Sequence, residues 1–486
     1  MLTRARQADW VLVLAALGVF FAADDQTSVV AILPEMIESV GLAQDEFYQA
    51  AWIINGYILG YIVAMPLMGR IADLFGRGRV YALSLLLFGA GSAWVALSSD
   101  LTVMSLGRGV QAVGAGAVVP VAMAIVVAGV EPSRRAFGLG AIAAVSEAGA
   151  LIGPLWGGGI ADLLGWRGVF WINLPLCLPI ALALWRLSPR SERRPGGGLD
   201  LPGAVLLGVA LTFLAVALTD DPIATRPLGQ TASLLALAAA SSLLFLWQER
   251  RATMPLLRLA LFRSPAVNAG FLTNALTGGS LIAAMVSVPL FTNVILDGTP
   301  LEGGLNLARL TIALPLGALA GGSLAARAGP ARAAGLGLAF AGGGFGGMVL
   351  WDADPSQALL TLPLLAAGFG FGLVIAPVNT AVLGEVEEGE RATVAALLTV
   401  MRLLGGLVGV ALLTTRGLGS FYIEAGRIPL DDPRFADIVR DLQVDAFQAT
   451  FAVTALVCLL TLLPAAFLGR RISRGDRPRP DIRNEA

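Results

Sequence analysis

Gly69-Arg-Ile-Ala-Asp-Leu-Phe-Gly-Arg-Gly-Arg79 is a short glycine- and arginine-rich stretch set between two long apolar runs. The run before it, 47–68, and the run after it, 80–97, each approach the roughly 20 apolar residues that cross the ~30 Å hydrocarbon core of a bilayer. A connector this short leaves both runs ending at one membrane face. Arg70, Arg77 and Arg79 put that face on the cytoplasmic side, where basic loops concentrate.

The rest of the chain has the same character. Its 486 residues are 56% hydrophobic and only 14% charged, with a mean hydropathy of +0.77, against about 25% charged in a soluble protein. This is a polytopic membrane protein, with nothing to support binding to nucleic acid. The net charge of −1 says little about partners, because the sign of charge is sorted by loop. Cys177 and Cys458 both fall in apolar spans and read as small buried hydrophobes rather than a disulfide or metal site. There is no histidine, so any proton handled near neutral pH must ride on a buried carboxylate. Arg4 and Arg6 precede a long apolar run without a small-residue cleavage site, which predicts a retained first helix and a cell (inner) membrane location.

Apolar runs bounded by charge or turn residues predict spans near 10–33, 47–69, 80–98, 101–128, 137–161 and 168–187. Two more follow a basic, glycine-rich connector, near 200–219 and 230–247. Six close the chain, near 266–296, 303–325, 333–351, 357–384, 392–416 and 446–469. Fourteen spans put both termini on the cytoplasmic side. The charges agree, with Arg134, Arg135, Arg250, Arg251, Arg327, Arg332 and Arg391 on that face and Asp220, Asp221, Asp297, Glu302, Asp352 and Asp354 on the other. The opening stretch has a degraded twin in Gly322-Ser-Leu-Ala-Ala-Arg-Ala-Gly-Pro-Ala-Arg332, where Ala326 replaces Asp73. The predicted organisation is an all-α membrane protein: a six-helix bundle over 1–188, a two-helix linker insert over 189–252, a second six-helix bundle over 253–470, and a cytoplasmic tail over 471–486. Repeats of this kind place a substrate site between the halves near mid-membrane.

The motifs carry a specific resemblance. Gly69 to Arg79, with Asp73 and Gly76, resembles the loop signature of the major facilitator superfamily. Arg108 in Leu106-Gly-Arg-Gly-Val-Gln-Ala-Val-Gly114 resembles its fourth-helix arginine motif. Gly149 with Gly153-Pro154-Leu-Trp-Gly157-Gly158 resembles the fifth-helix motif of exporters. Asp25-Gln-Thr-Ser-Val-Val-Ala-Ile-Leu-Pro34 resembles the first-helix motif of the fourteen-helix drug:proton antiporters. Gly60-Tyr-Ile-Val-Ala-Met-Pro66, Glu147, Phe170-Trp-Ile-Asn-Leu-Pro175, Ile312-Ala-Leu-Pro-Leu-Gly-Ala318 and Gly372-Leu-Val-Ile-Ala-Pro377 are similar to the mycobacterial members implicated in triacylglyceride export and drug tolerance. The resemblance implies the major facilitator fold and alternating access.

Ionisable groups inside spans cost several kcal/mol unless paired or wetted, so each marks a function by default. Five stand out: Asp25, Arg108, Glu147, Arg309 and Arg402. Asp25, by its motif, is the expected proton-carrying carboxylate, and Arg108 lies at a depth that allows the two to pair; the alternative is a structural ion pair that fixes helix register. Asp24 points about 100° away round the helix and stands in reserve, toward the cavity. Glu147 and Arg402 each lie about ten residues, hence about 15 Å, from the cytoplasmic start of their spans, which suits either a switchable gate pair or a static one. Arg309 either faces Asp25 across the cavity or snorkels outward. In the first loop Gly69, Asp73, Gly76, Arg77 and Arg79 form the expected conformational switch, charges at helix ends being favoured by the macrodipole.

The outer segment 417–445 carries Asp431 and Asp432 before Pro433, a helix-start signal, followed by Phe435, Ile438, Val439 and Leu442 on one face. This amphipathic helix either lies flat at the interface or packs its apolar face, the preferred reading, or extends the last span outward to guide lipid or meet a carrier protein. No glycine cluster resembles a phosphate-binding loop, so ATP has no support as an energy source. With no nucleophile and base pairing in sight, an enzyme is not expected. The sequence reads as a proton-driven exporter of hydrophobic or amphipathic drugs or lipids, needing no cofactor beyond the proton gradient. Its rival is a non-transporting receptor or scaffold, which would gain nothing from five buried ionisable residues.

Overall fold

Runs of 18 or more apolar residues can satisfy their backbone in hydrocarbon only as helices, and that is what the computed structural model contains. It describes residues 2–42, 49–129, 135–187, 200–219, 228–253, 255–257, 259–386, 391–413, 421, 428 and 434–469. The helices are α1 (Leu2–Ser39), α2 (Ala51–Phe75), α3 (Arg77–Leu97), α4 (Leu101–Gly129), α5 (Arg135–Leu164), α6 (Trp166–Trp171) and α7 (Asn173–Leu187). The linker pair is α8 (Leu201–Leu218) and α9 (Leu228–Arg251). The second half is α10 (Pro265–Val294), α11 (Pro300–Ala328), α12 (Pro330–Met348), α13 (Gln357–Gly384), α14 (Arg391–Leu412), α15 (Phe435–Leu460) and the short α16 (Leu462–Ala465).

With α6 and α7 taken as one broken span and α16 as the end of the α15 span, the described residues contain the fourteen expected helices. Among the described residues, 11 helices are long and apolar enough to cross a membrane by length and composition alone. The expected sixth span is interrupted at Ile172, which hands the chain from α6 to α7 and sets Asn173 at the start of the new helix. We call the face at which α1 ends the outer face.

The loop between the second and third spans shrinks to one residue. The α2 helix runs past its apolar stretch to Phe75 and α3 starts at Arg77, with Gly76 alone between them at φ 97°. The twin is the same: α11 ends at Ala328, Gly329 has φ 89°, and Pro330 opens α12. Both positions need a backbone that side-chain-bearing residues rarely adopt, which explains why both copies keep glycine there. Gly69 and Asp73 lie in the last turns of α2, but the Asp73 side chain lies outside the described residues; Arg77 is half-buried and Arg79 exposed at the start of α3.

Since lipid is as apolar as leucine, helices in a bilayer associate through close packing of small residues. The α2–α4 seam is built this way, with Gly56 against the Ser105 backbone and Gly116 against Tyr61. In the second half Gly321 packs on the Leu373 backbone between α11 and α13, and Gly409 on Gly279 between α14 and α10. The halves meet along α5–α11, α2–α14 and α1–α10. The linker helices pack on each other and on α2, leaving Leu235, Leu237, Leu243 and Leu244 of α9 exposed to lipid.

One expectation is corrected here. The amphipathic stretch after Pro433 is not a separate helix lying flat: Phe435 to Leu460 is continuous, so it extends the last span outward. Its inward face still packs, with Val439 and Leu442 against Ala446 and Phe421. Asp431, Asp432, Pro433 and most of 417–433 lie outside the described residues.

Candidate functional site

An arginine buried in a bilayer needs its charge balanced and acceptors for its N–H groups, and Arg108 of α4, only 1% exposed, finds an acidic partner and acceptors at Nη1 and Nε. Its Nη1 donates to Asp25 Oδ2 at 2.8 Å and to Gln111 Oε1 at 2.6 Å, and its Nε donates to the Ile53 carbonyl at 3.4 Å. The guanidinium stacks 4.2 Å from the centre of the Tyr57 ring, a cation–π contact. Asp25, also 1% exposed, accepts two further bonds at Oδ1, from Gln111 Nε2 at 2.9 Å and Asn173 Nδ2 at 2.8 Å. Asn173 also donates to Ser92 Oγ at 3.0 Å, which donates on to the Phe170 carbonyl. Arg108, Gln111 and Asn173 thus supply three donors to the Asp25 carboxylate, two at Oδ1 and one, charge-assisted, at Oδ2.

The structure therefore brings Asp25 and Arg108 together and adds Gln111, Asn173, Tyr57 and Ser92, which the sequence reading did not single out. Gln111 had a signal: it follows Arg108 by three residues and so shares its helix face. Asn173 had a weaker one, as an amide within an apolar span.

The exporter-type motif lies at two seams. Gly149, Gly153 and Gly157 put α5 directly on α1, against the backbones of Phe20, Asp24 and Ser28. Thr27 Oγ1 crosses the same seam to donate to the Ala150 carbonyl at 3.0 Å. Farther out, a methyl added at Gly158 would lie 2.6 Å from the Pro300 carbonyl oxygen, and Gly304 packs on the Pro154 carbonyl. The motif so joins the outer ends of α5 and α11, one from each half.

Arg309 turns away from Asp25. Its Nη1 donates to Thr361 Oγ1 at 2.8 Å and its Nη2 to Gln357 Oε1 at 3.2 Å, near the outer end of α13. Arg309 lies on the same stripe of α11 as the exposed Leu305, Ile312 and Leu316, so it snorkels along the lipid face. Arg402 is half-buried in α14, its backbone against Gly278 of α10. Glu147 is in α5, but its side chain lies outside the described residues.

Between the halves at the outer end is a cavity of about 370 Å³. Its walls are apolar: Leu33 and Ile37 of α1, Ile54 of α2, Leu290 and Val294 of α10, Val410 of α14, and Phe421 and Phe447. Glu38 and Gln443 supply its polar side chains. Ile54 in the wall follows Ile53, the acceptor for Arg108, so the charge network lies just beneath the cavity. A second apolar cleft, about 450 Å³, faces lipid between α2 and α8, with Val63, Leu67, Val205 and Phe213 in its walls. Among the described residues no group of acidic, cysteine or histidine side chains could hold a metal ion.

Residues 15–410 match the family model described as Major Facilitator Superfamily. The chain is 35% identical to a triacylglyceride transporter of Mycolicibacterium hassiacum over 487 residues, covering 94% of this chain and 91% of that protein. It is 33% identical to a triacylglyceride transporter of Mycobacterium tuberculosis over 492 residues, covering 95% of each. Among solved structures, an inward-facing bacterial homologue of the human lysosomal transporter Spinster superposes with a TM-score of 0.70 at 17% identity, covering 95% of this chain and 98% of that one. The POT family transporter PepTSo superposes at 0.64 with 15% identity, covering 95% and 98%.

Proposed function

Since this chain belongs to the Major Facilitator Superfamily, we propose that it is a proton-driven exporter of apolar lipids of the acylglycerol class, working by alternating access in the inner membrane with both termini in the cytoplasm. In this reading it is one of the fourteen-helix drug:proton antiporters. The observation that carries the substrate class is the cavity of about 370 Å³ between the halves, which offers hydrocarbon walls and, among the described residues, only Glu38 and Gln443 as polar side chains. Such a lining suits acyl chains with an ester head and, among the described residues, gives an anionic solute no cationic partner. The names of the mycobacterial relatives agree.

The network beneath the cavity supplies the coupling. A proton reaching Asp25 removes the charge that holds Arg108 and loosens the α1–α4–α7 cluster; losing it restores the clamp. The seam of Gly158 and Gly304 closes the outer side in one state and parts in the other. Glu147 and Arg402 are assigned to an inner gate, and the loop around Gly76 to the hinge that reports the state. The outward extension of α15 offers a surface for lipid to leave along, or for an outer-side carrier protein to meet.

The test is transfer of a fluorescent triacylglyceride analogue in proteoliposomes under an imposed pH gradient. Uphill transfer that a protonophore abolishes is expected. Transfer indifferent to the gradient would remove proton coupling, and dye efflux without lipid transfer would remove the lipid assignment.

A further inference from the structure

The network around Asp25 leaves its sequence neighbour out. Asp24 is 2% exposed, and its Oδ1 is buried without a hydrogen-bond donor. Its backbone is fixed, because Gly149 and Gly153 of α5 pack against its amide nitrogen and carbonyl oxygen and Thr27 Oγ1 donates to that carbonyl at 3.1 Å. The backbone of Asp24 is therefore held at the α1–α5 seam and cannot shift to carry the carboxyl to a partner.

Among the described residues no cation is placed to serve it. Of the helices packed on α1, α4 supplies Arg108, whose Nη1 is already shared by Asp25 and Gln111. The α10 helix has no ionisable residue, and α7 has Cys177 and, at its far end, Arg186. Arg167 of α6 is bound to the carbonyls of Ala96 and Ser98. On α3, Tyr81 donates to Ala15 and the arginines lie at the inner end. On α11, Arg309 is turned to α13, Glu302 closes the helix cap and Arg327 lies in the last turn. The α5 helix carries Asp162 near its outer end and Arg135 at its inner start; its Glu147 side chain lies outside the described residues.

An ionised carboxylate here would keep Oδ1 buried without a donor, would meet no counter-ion among the described residues, and would sit beside the carboxylate of Asp25. A neutral carboxyl avoids these costs. We infer that Asp24 is a second proton-binding site of the transport path, holding a proton while Asp25 is ionised and clamped to Arg108. This rests on the proton-driven reading above. Release breaks the Asp24 O–H bond, leaves its electron pair on the carboxylate, and passes the proton to water.

Two measurements test this. Infrared spectra of the protein in lipid nanodiscs near neutral pH should show the carbonyl stretch of a buried protonated carboxyl, lost in Asp24→Asn and kept in Asp25→Asn. A spectrum unchanged by Asp24→Asn overturns the inference. In proteoliposomes carrying the fluorescent triacylglyceride analogue, Asp24→Asn should cut gradient-driven transfer about tenfold while gradient-independent exchange continues, with Asp24→Glu restoring the driven component. Driven transfer at the wild-type rate in Asp24→Asn overturns the role in transport. If the wild-type protein itself ignores the gradient, the parent reading fails, and the infrared result alone decides whether Asp24 holds a proton.

Discussion

Removing one partner from a buried ion pair costs more than removing both, because the survivor is left charged in hydrocarbon. Arg108 and Asp25 are each 1% exposed, so Asp25→Ala should destabilise the protein by about 3–5 kcal/mol, seen as a lower melting temperature in detergent. Adding Arg108→Met to that variant should recover much of the loss while leaving proton-driven transfer absent. If the double variant melts no higher than Asp25→Ala, Arg108 is not the stranded charge. At this scale the sequence revealed the charged residues but not their company. Asp25 and Arg108 were legible as a pair because both are ionisable at similar depth. Arg309 was not placed, since its choice between Asp25 and the lipid face depended on Thr361 and Gln357 of another helix.

At the scale of elements, the matched glycines make the two halves comparable. Gly76 and Gly329 hold similar left-sided backbone conformations, so Gly76→Val and Gly329→Val should each cost roughly 1–3 kcal/mol by thermal melting. A negligible effect at Gly329 would mean that the second copy no longer depends on its turn. The α5–α11 seam has a functional counterpart. A leucine at Gly158 meets the Pro300 and Leu301 backbone and should force the outer ends apart. Spin labels on the outer ends of α5 and α11 should then report a longer distance and faster labelling of a cysteine at Leu301; an unchanged distance distribution would show that the seam does not gate. The segment from Phe435 shows why periodicity stopped short. Its apolar face predicted a helix, but the same face packs equally well flat on a membrane or against Phe421, and only continuity with Leu460 separates the two.

Across the whole molecule, the outer cavity lies where five helices from both halves converge, so filling it should impair transport without harming the fold. Leu290→Trp is expected to lower lipid transfer severalfold with melting little changed, whereas Leu244→Trp on the lipid face of α9 should leave both alone. Equal effects from the two would show that the cavity is not the path. Span number, the sorting of charge and the internal repeat were all present in the sequence, because a bilayer demands long apolar helices and a fixed side for arginine, and both demands act locally along the chain. What only the tertiary structure decided is which groups meet. The donors to Asp25 come from 83, 86 and 148 residues away, on α4 and α7, and no local pattern records that convergence. The same holds for the carboxyl left over: Asp24 and Asp25 are adjacent in sequence, yet packing clamps one and strands the other, since neighbours on a helix face about 100° apart.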